Sequence, residues 1–155
     1  MIHYAVQGGS IDVIRILLKK KKELLEIPNA FGLTPLSVAC DDEQIEIIKF
    51  LVEHNADFTD TIPHYIRKNE PKIVRILLKY GEIQNKKNTY HEQKRNPLHI
   101  AIKYNRVRIT KIILRYSPIL STWKDEHGRK PTDLLRTTSN AGIKMLFSKS
   151  KSKTS

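Results

Sequence analysis

The histidines and the single cysteine are the side chains of this sequence best suited to metal binding or nucleophilic catalysis. The six histidines are scattered along the chain, and Cys40 has no neighbouring His/Cys arrangement. A zinc site usually takes its ligands in pairs about two to five residues apart, and no such pairs occur. We therefore expect no metal site and a packed, inert thiol. One cysteine excludes an intramolecular disulfide framework and favours a reducing intracellular compartment.

The carboxylates and glycines form no recognisable catalytic pattern. The sequence contains neither a nucleophile elbow nor a phosphate-binding glycine-rich loop, and no carboxylate pair is tied to a second motif. Gly8 and Gly9 suit a turn between helices. Asp41, Asp42 and Glu43 suit the equivalent turn, with an acidic contact to a partner as the alternative. We predict a non-enzymatic protein with no catalytic residues and no cofactor.

Positive charge dominates the composition. Lys and Arg number 28 against 16 Asp and Glu, which gives a net charge of +12. Such a charge attracts acidic proteins, anionic membranes or nucleic acid, but it supplies no sequence specificity. The four lysines at 19–22 could form a nucleic-acid or nuclear-import patch. Their position at a predicted helix C-terminus favours the simpler role of complementing the helix dipole.

A recurring segment indicates the architecture that must position these side chains. The sequence GLTPLSVA at 32–39 returns as NPLHIA at 96–101. Stretches rich in Ile and Leu at helical spacing occur at 11–18, 45–52, 73–78 and 109–114. Thr34 and Asn96 can each cap a helix whose first residue is proline. Since Ala5 and Ala39 lie 34 residues apart, as do Pro97 and Pro131, we predict stacked two-helix units.

The chain resembles the ankyrin-repeat family from end to end. That family has a period of about 33 residues, with one turn and two antiparallel helices per unit. The resemblance implies an all-α solenoid of about five units with incomplete terminal ones, over residues 1–147. It also implies that His3 and His99 bond to the backbone, and that small Ala39 and Ala101 let the inner helices approach closely. Residues 125–135 resemble a closing unit.

Several departures from the repeat predict local irregularities. Ile48 and Val74 are only 26 residues apart, so 57–60 should form a direct turn without the usual projecting turn, or finger. Tyr65 stands where neighbouring units have Ala, so either the stack should widen there or the ring should tilt outward. Asn55 and Gly81 are expected to end helices in the left-handed conformation. Residues 82–95 should form a mobile loop, and residues 148–155, rich in Lys and Ser, a flexible tail.

In the family, inner helices and fingers make a concave face that binds another protein. The chain begins inside a unit, which suggests a fragment or an unusual terminal cap. Carried over by register, the resemblance predicts a face that changes from acidic or neutral to basic along the chain. Trp123 and Phe31 lie near the finger tips, where an aromatic side chain could anchor a contact or pack between fingers. The predicted partner-binding residues are Tyr4, Gln7, Val38, Asp41, Asp42, His64, Arg67, Lys68, Ile100, Lys103, Tyr104 and Trp123.

The sequence thus predicts a monomeric interaction module for an intracellular protein partner, acidic if the charge is used in binding. No apolar run is long enough to span a membrane. Compact ankyrin proteins also resemble the inhibitors that bind NF-κB-type transcription factors, including virus-encoded versions and bacterial effectors, but no motif here selects that role. A nucleic-acid or nucleotide-binding ankyrin domain is the other alternative. The expected location is the cytoplasm or nucleus, in a host cell if the source is viral or bacterial.

Overall fold

The computed structural model describes residues 1–84 and 96–151, in which every regular element is helical. The α-helices of these residues are α1 Ile2–Gln7, α2 Ile11–Lys20, α3 Pro35–Asp41, α4 Ile45–Glu53, α5 Thr61–Lys68, α6 Pro71–Gln84, α7 Pro97–Lys103, α8 Val107–Tyr116 and α9 Ala141–Lys151. Three 3₁₀ helices span Lys22–Leu25, Pro118–Ser121 and Pro131–Arg136. Successive inner and outer helices form five pairs, the last made by Pro131–Arg136 and α9. The predicted all-α solenoid is confirmed.

Capping residues start the inner helices as the sequence predicts. Thr34 Oγ1 accepts a hydrogen bond from the Ser37 amide at 3.2 Å at the start of α3. Asn96 Oδ1 accepts from the Leu98 amide at 2.9 Å at the start of α7, and its Nδ2 donates to the Leu120 carbonyl at 2.8 Å. Proline follows each cap as the first helical residue, where the missing N–H costs nothing.

One continuous apolar layer between the inner and outer helices holds the stack together. Ile14, Ile48, Val74 and Ile113, all on outer helices, are fully buried in it. The small side chains of the inner helices allow α1 to pack on α3 and α5 on α7, and Ala39 and Ala101 are fully buried as predicted. Burial of apolar surface between neighbouring units is what stabilises such an array.

Helices α4 and α6 end differently, although the sequence predicted the same left-handed ending for both. Asn55 has φ of 69° and follows α4 in the predicted left-handed conformation. The same prediction for Gly81 was wrong, because α6 continues through it to Gln84. The Phe58 ring packs directly over Gly81, and a Cβ there would lie far inside contact distance of the ring carbons. Gly81 therefore serves close packing and not helix termination.

In the described part of the chain, fingers precede α3 and the Pro131–Arg136 helix, and none precedes α5. The first finger closes between Asn29 and Leu33 and the last between Asp125 and Arg129, each with a backbone hydrogen bond of 2.9 Å. Only residues 54–60 join α4 to α5, so the predicted loss of a finger is confirmed. Here α3 and α5 approach less closely than the other neighbouring inner helices. The buried Tyr65 lies at this junction, as the expected widening requires.

Two predicted segments, the loop at 82–95 and the tail at 148–155, lie partly outside the described residues. The helical part of the predicted loop at 82–95 ends at Gln84, and 85–95 lie outside the described residues. Helix α9 continues to Lys151, so the predicted start of the tail at Ser148 falls inside a helix; residues 152–155 are outside the described residues. None of the helices described is both long and apolar enough to cross a membrane.

Candidate functional site

The exposed edge of the inner helices carries most of the predicted partner-binding residues. Tyr4 and Gln7 project from α1, and the Tyr4 side chain is 79% exposed. Further along, the exposed members are Asp41, Asp42, His64, Arg67, Lys68, Lys103 and Tyr104, while Ile100 is half-buried. Since these residues recur at equivalent positions of successive units, they form one surface. We call this surface the concave face.

Two predicted members of this surface do not belong to its exposed part. Val38 is only 5% exposed and belongs to the core, although Tyr4 and His64 at the equivalent position reach solvent. Its short side chain stays between the neighbouring helices. Trp123 is half-buried and packs against the core, so it is not a free anchor. Phe31, 88% exposed on the first finger, is the aromatic side chain that projects.

A first depression lies beside α1 at the start of the solenoid. It has a volume of about 480 Å³, and its lining includes Tyr4, Gln7, Ile27 and Phe31. The Gln7 carbonyl accepts a hydrogen bond from Gln44 Nε2 at 3.3 Å, which ties α1 to the next unit. The described lining contains no Asp, Glu, Lys or Arg, so this end of the face offers mainly aromatic and apolar surface.

A second depression of about 290 Å³ opens where the finger is missing. Tyr65 Oη donates a hydrogen bond to Asp41 Oδ1 at 2.8 Å, and Lys68 Nζ lies 3.0 Å from the same oxygen. Partial burial raises the pKa of Asp41, but the bonds from Lys68 and Tyr65 outweigh it and hold the pKa below its ordinary value. Burial and the Asp41 carboxylate both raise the pKa of Tyr65. Asp41 is thus a carboxylate held by two donors.

Three acidic residues of this second depression were missed in the sequence analysis. Glu26, Asp57 and Asp60 line it together with Asp41. Glu26 Oε1 accepts a hydrogen bond from the Asp57 amide at 2.8 Å, across 31 residues of sequence. Burial raises the pKa of Glu26, and this backbone bond opposes the rise. Only the shortened connection brings these residues together, so no local motif could have revealed them.

A third depression, of about 480 Å³, lies between α7 and the last finger. Ile100 and Lys103 line one side, and Asp125 and Arg129 the other. Burial raises the pKa of Asp125, but bonds from the backbone and guanidinium of Arg129 lower it to about 2. His99 Nε2 donates to the Arg129 carbonyl at 2.7 Å. Burial lowers the pKa of His99, so the imidazole is neutral near pH 7.

The remaining reactive side chains have structural surroundings. His3 Nε2 lies 3.0 Å from the Leu33 carbonyl, so both predicted histidine–backbone bonds are present. Burial raises the pKa of the Cys40 thiol to about 12, which keeps it protonated. Among the described residues, no cluster of His, Cys, Asp or Glu is arranged to hold a metal ion.

Comparison with known families agrees with this geometry. Residues 1–62 match a family model described as ankyrin repeats (3 copies). Residues 1–62 of the chain therefore consist of ankyrin repeats. The match ends within α5, and the later helix pairs continue the ankyrin arrangement of inner and outer helices. Ankyrin repeats are generally protein–protein interaction modules. A comparison with curated proteins gives no significant match.

Proposed function

We propose that this ankyrin-repeat protein is a non-enzymatic module that binds one intracellular protein through its concave face. The observation that carries the proposal is the row of three depressions beneath exposed side chains of successive inner helices. Tyr4, Phe31 and Tyr104, which is 42% exposed, supply large side chains of the kind that anchor interfaces. A monomer would present this whole face to its partner and could inhibit that partner by covering it.

The charges of the face favour a partner surface that is acidic opposite the third and fourth units. Lys68 is balanced by Asp41, whereas Arg67 and Lys103 make no ion pair within the described residues. Arg106 donates from its guanidinium to the Arg67 carbonyl at 2.6 Å, which fixes the backbone beneath the Arg67 side chain. A rigidly mounted, unpaired cation can steer an acidic partner and fix its register.

The proposal can be tested by charge reversal on the two surfaces of the solenoid. The partner would first be captured from native host cells with the whole chain and identified by mass spectrometry. Surface plasmon resonance at two salt concentrations would then compare Arg67→Glu/Lys103→Glu with the outer-helix control Arg108→Glu/Lys111→Glu. The two variants change the same residue types and the same net charge.

We expect the concave variant to associate at least about tenfold more slowly and to lose salt sensitivity, with a much smaller effect in the control. Equal losses in both would refute the concave face as the binding surface. Capture of nucleic acid, with affinity that falls steeply with salt and varies little with sequence, would replace the proposed function with nucleic-acid binding.

A further inference from the structure

The outer surface of the first two units contains a groove that the concave face does not use. Helices α2 and α4 approach less closely than α4 and α6 or α6 and α8. The space between them forms a cavity of about 240 Å³. We call it the outer groove, and its lining residues are Arg15, Leu18, Lys19, Lys22, Leu25 and His54.

The outer groove combines an apolar floor with a cationic rim. Leu25 is buried and Leu18 is half-buried, and they supply the apolar surface. Arg15 and Lys19 lie one helical turn apart on α2. Helix α2 ends at Lys20, and a 3₁₀ helix that begins at Lys22 follows. At this change of helix type the chain turns back toward the groove. Two of the four lysines at 19–22, Lys19 and Lys22, therefore lie on its rim.

Contacts with α4 fix one side of the rim. The Arg15 guanidinium lies 5.6 Å from the centroid of the Phe50 ring, and the His54 ring stacks on the same ring at 4.0 Å. His54 Nδ1 donates to the Phe50 carbonyl at 2.7 Å. Arg15 also lies 3.5 Å from the exposed carboxylate of Asp12, an exposed pair of the weak kind. The Arg15 guanidinium is thus positioned over the Phe50 ring, and its side chain stays 52% exposed.

The helix dipole does not account for this concentration of charge. Its effect is confined to the last turn of a helix, where Lys19 and Lys20 lie. Arg15 is inside α2 and Lys22 is beyond its end. Within the described residues, none of the four lysines at 19–22 makes an ion pair. Around the apolar floor the rim therefore carries Lys19 and Lys22 without an ion pair within the described residues, and Arg15 in a weak, exposed pair with Asp12.

From this arrangement we propose that the outer groove binds an acidic peptide segment that inserts one apolar side chain. The leucine floor would bury that side chain, and Arg15, Lys19 and Lys22 would pair with flanking carboxylates. The segment belongs to a partner protein, so the chain could hold two partners at once, one on each surface. The groove is formed by the first two units and does not depend on the concave face.

The chemistry of the groove favours a peptide over nucleic acid or a lipid surface. Single-stranded nucleic acid binds by stacking bases on exposed aromatic rings, but Phe50 is only 8% exposed and is already covered by Arg15 and His54. A lipid surface needs apolar side chains that project, whereas Leu25 is buried at the floor, and the projecting Val13 and Ile16 of α2 do not line the groove. A recessed apolar pocket with a positively charged rim fits a peptide in which one apolar side chain is flanked by carboxylates.

The test uses the full chain and a fluorescein-labelled peptide with one central leucine flanked by glutamates. Fluorescence polarisation would measure affinity, and two-dimensional amide NMR would locate the site. The groove variant is Arg15→Gln/Lys19→Gln/Lys22→Gln. The control, Arg108→Gln/Lys111→Gln/Lys144→Gln, removes the same residue types from exposed positions of α8 and α9. A peptide with serine in place of leucine tests the floor without altering the protein.

We expect amide shifts at residues 15–25 and 50–54. Affinity should fall about tenfold in the groove variant and about twofold or less in the control. The serine peptide should also bind about tenfold more weakly. Arg67→Glu/Lys103→Glu should leave peptide affinity within about twofold, which separates this proposal from the concave-face proposal.

Equal losses in the two triple variants, or shifts located on the concave face, would overturn the assignment. The same holds if the leucine and serine peptides bind alike, or if no binding is seen up to about 1 mM peptide. Tighter binding at this groove by a single-stranded oligonucleotide or by anionic phospholipid vesicles would show that its ligand is not a peptide.

Discussion

The junction between the second and third units is held by different chemistry from the junctions that have a finger. At the first and last fingers, a histidine donates to a finger carbonyl: His3 to Leu33 and His99 to Arg129. At the fingerless junction, Tyr65 and Lys68 of the third unit converge on Asp41 of the second. Neighbouring units are thus joined through a backbone carbonyl at the two junctions with a finger and mainly through side chains at the fingerless one.

This difference predicts where the solenoid responds to sequence, pH and salt. A finger offers its partner a backbone carbonyl, which remains after almost any substitution. The fingerless junction depends on particular side chains and on one close approach, that of Phe58 to Gly81. It also leaves open the acidic depression around Asp41. Because the finger is missing, the centre of the solenoid depends more on particular side chains, and substitutions there should destabilise it more.

The largest effect should come from Gly81→Ala at the fingerless junction. In an ordinary helix interior this change adds up to about 1 kcal/mol of stability. Here the new Cβ would collide with the rigid Phe58 ring, so we expect a loss of about 3 kcal/mol. Chemical denaturation monitored by circular dichroism would measure it.

Gly142→Ala is the matched control within helix α9. A Cβ there would meet Asn140 Oδ1 at 3.1 Å and Val107 side-chain atoms at 3.4 Å or more, so Asn140 would have to shift only slightly while it accepts its 3.3 Å bond from the Ile143 amide. We expect a change of less than about 1 kcal/mol in this variant. If Gly81→Ala were as mild as the control, the close packing of Phe58 would not be a constraint on the junction.

The second prediction removes the hydroxyl that joins the two units. Tyr65→Phe keeps the buried ring but leaves Asp41 Oδ1 without its 2.8 Å donor and removes a 3.3 Å bond to the Ser37 carbonyl. A hydrogen bond to a charged group contributes about 1.5–3 kcal/mol, so we expect about 2 kcal/mol of destabilisation. The free energy of unfolding from urea titration would show it. A neutral outcome would mean that Lys68 alone holds the carboxylate.

The sequence predicted elements whose signals are local and missed those that depend on distant neighbours. The Thr34–Pro35 and Asn96–Pro97 caps carry their geometry in adjacent residues, and the 26-residue offset from Ile48 to Val74 directly implied a missing finger. In contrast, the grouping of Glu26 with Asp57 arises only after the units stack.

The wrong predictions have the same origin. The repeat register placed Val38 correctly on its helix. It could not show how much of the Val38 side chain the neighbouring helices bury. Gly81 has the residue type of a helix terminator, and its actual role depends on the Phe58 ring, which is 23 residues away. For Trp123, by contrast, the sequence left both an anchoring contact and packing between fingers open, and the side chain packs against the core.

The third prediction concerns the pH response of a junction with a finger. Burial lowers the pKa of His99 below 6.5, and its Nδ1 is buried with no hydrogen-bond partner among the residues that the structure describes. The unfolded chain therefore binds a proton at this residue before the folded chain does. Stability from the neutral imidazole is fully present above about pH 6.5 and is lost as the pH falls toward the folded-state pKa.

His99→Gln should remove this part of the pH response and lower stability at pH 7.5 by about 1 kcal/mol, through loss of the bond to Arg129. Urea midpoints of both proteins between about pH 7.5 and 5 would measure the two slopes. His3→Gln breaks the equivalent bond at a half-buried position and should cost less at pH 7.5. Parallel slopes for His99→Gln and the unsubstituted protein would show that His99 is not the titrating group.

The smallest effect should come from the ion pair of the fingerless junction. Lys68→Gln removes the 3.0 Å contact with Asp41, but the Lys68 side chain is half-exposed, so we expect a loss of only about 0.2–1 kcal/mol. The loss should shrink further in 1 M salt, where the Debye length falls to about 3 Å. The comparison with Tyr65→Phe is the informative part, since both substitutions remove one donor from the same oxygen. The buried hydroxyl bond should keep most of its contribution in high salt. Urea titrations of both variants at low and high salt would separate the two contributions. If Lys68→Gln cost as much as Tyr65→Phe and kept that cost in salt, the junction would be held by electrostatic attraction, and the buried hydroxyl would be secondary.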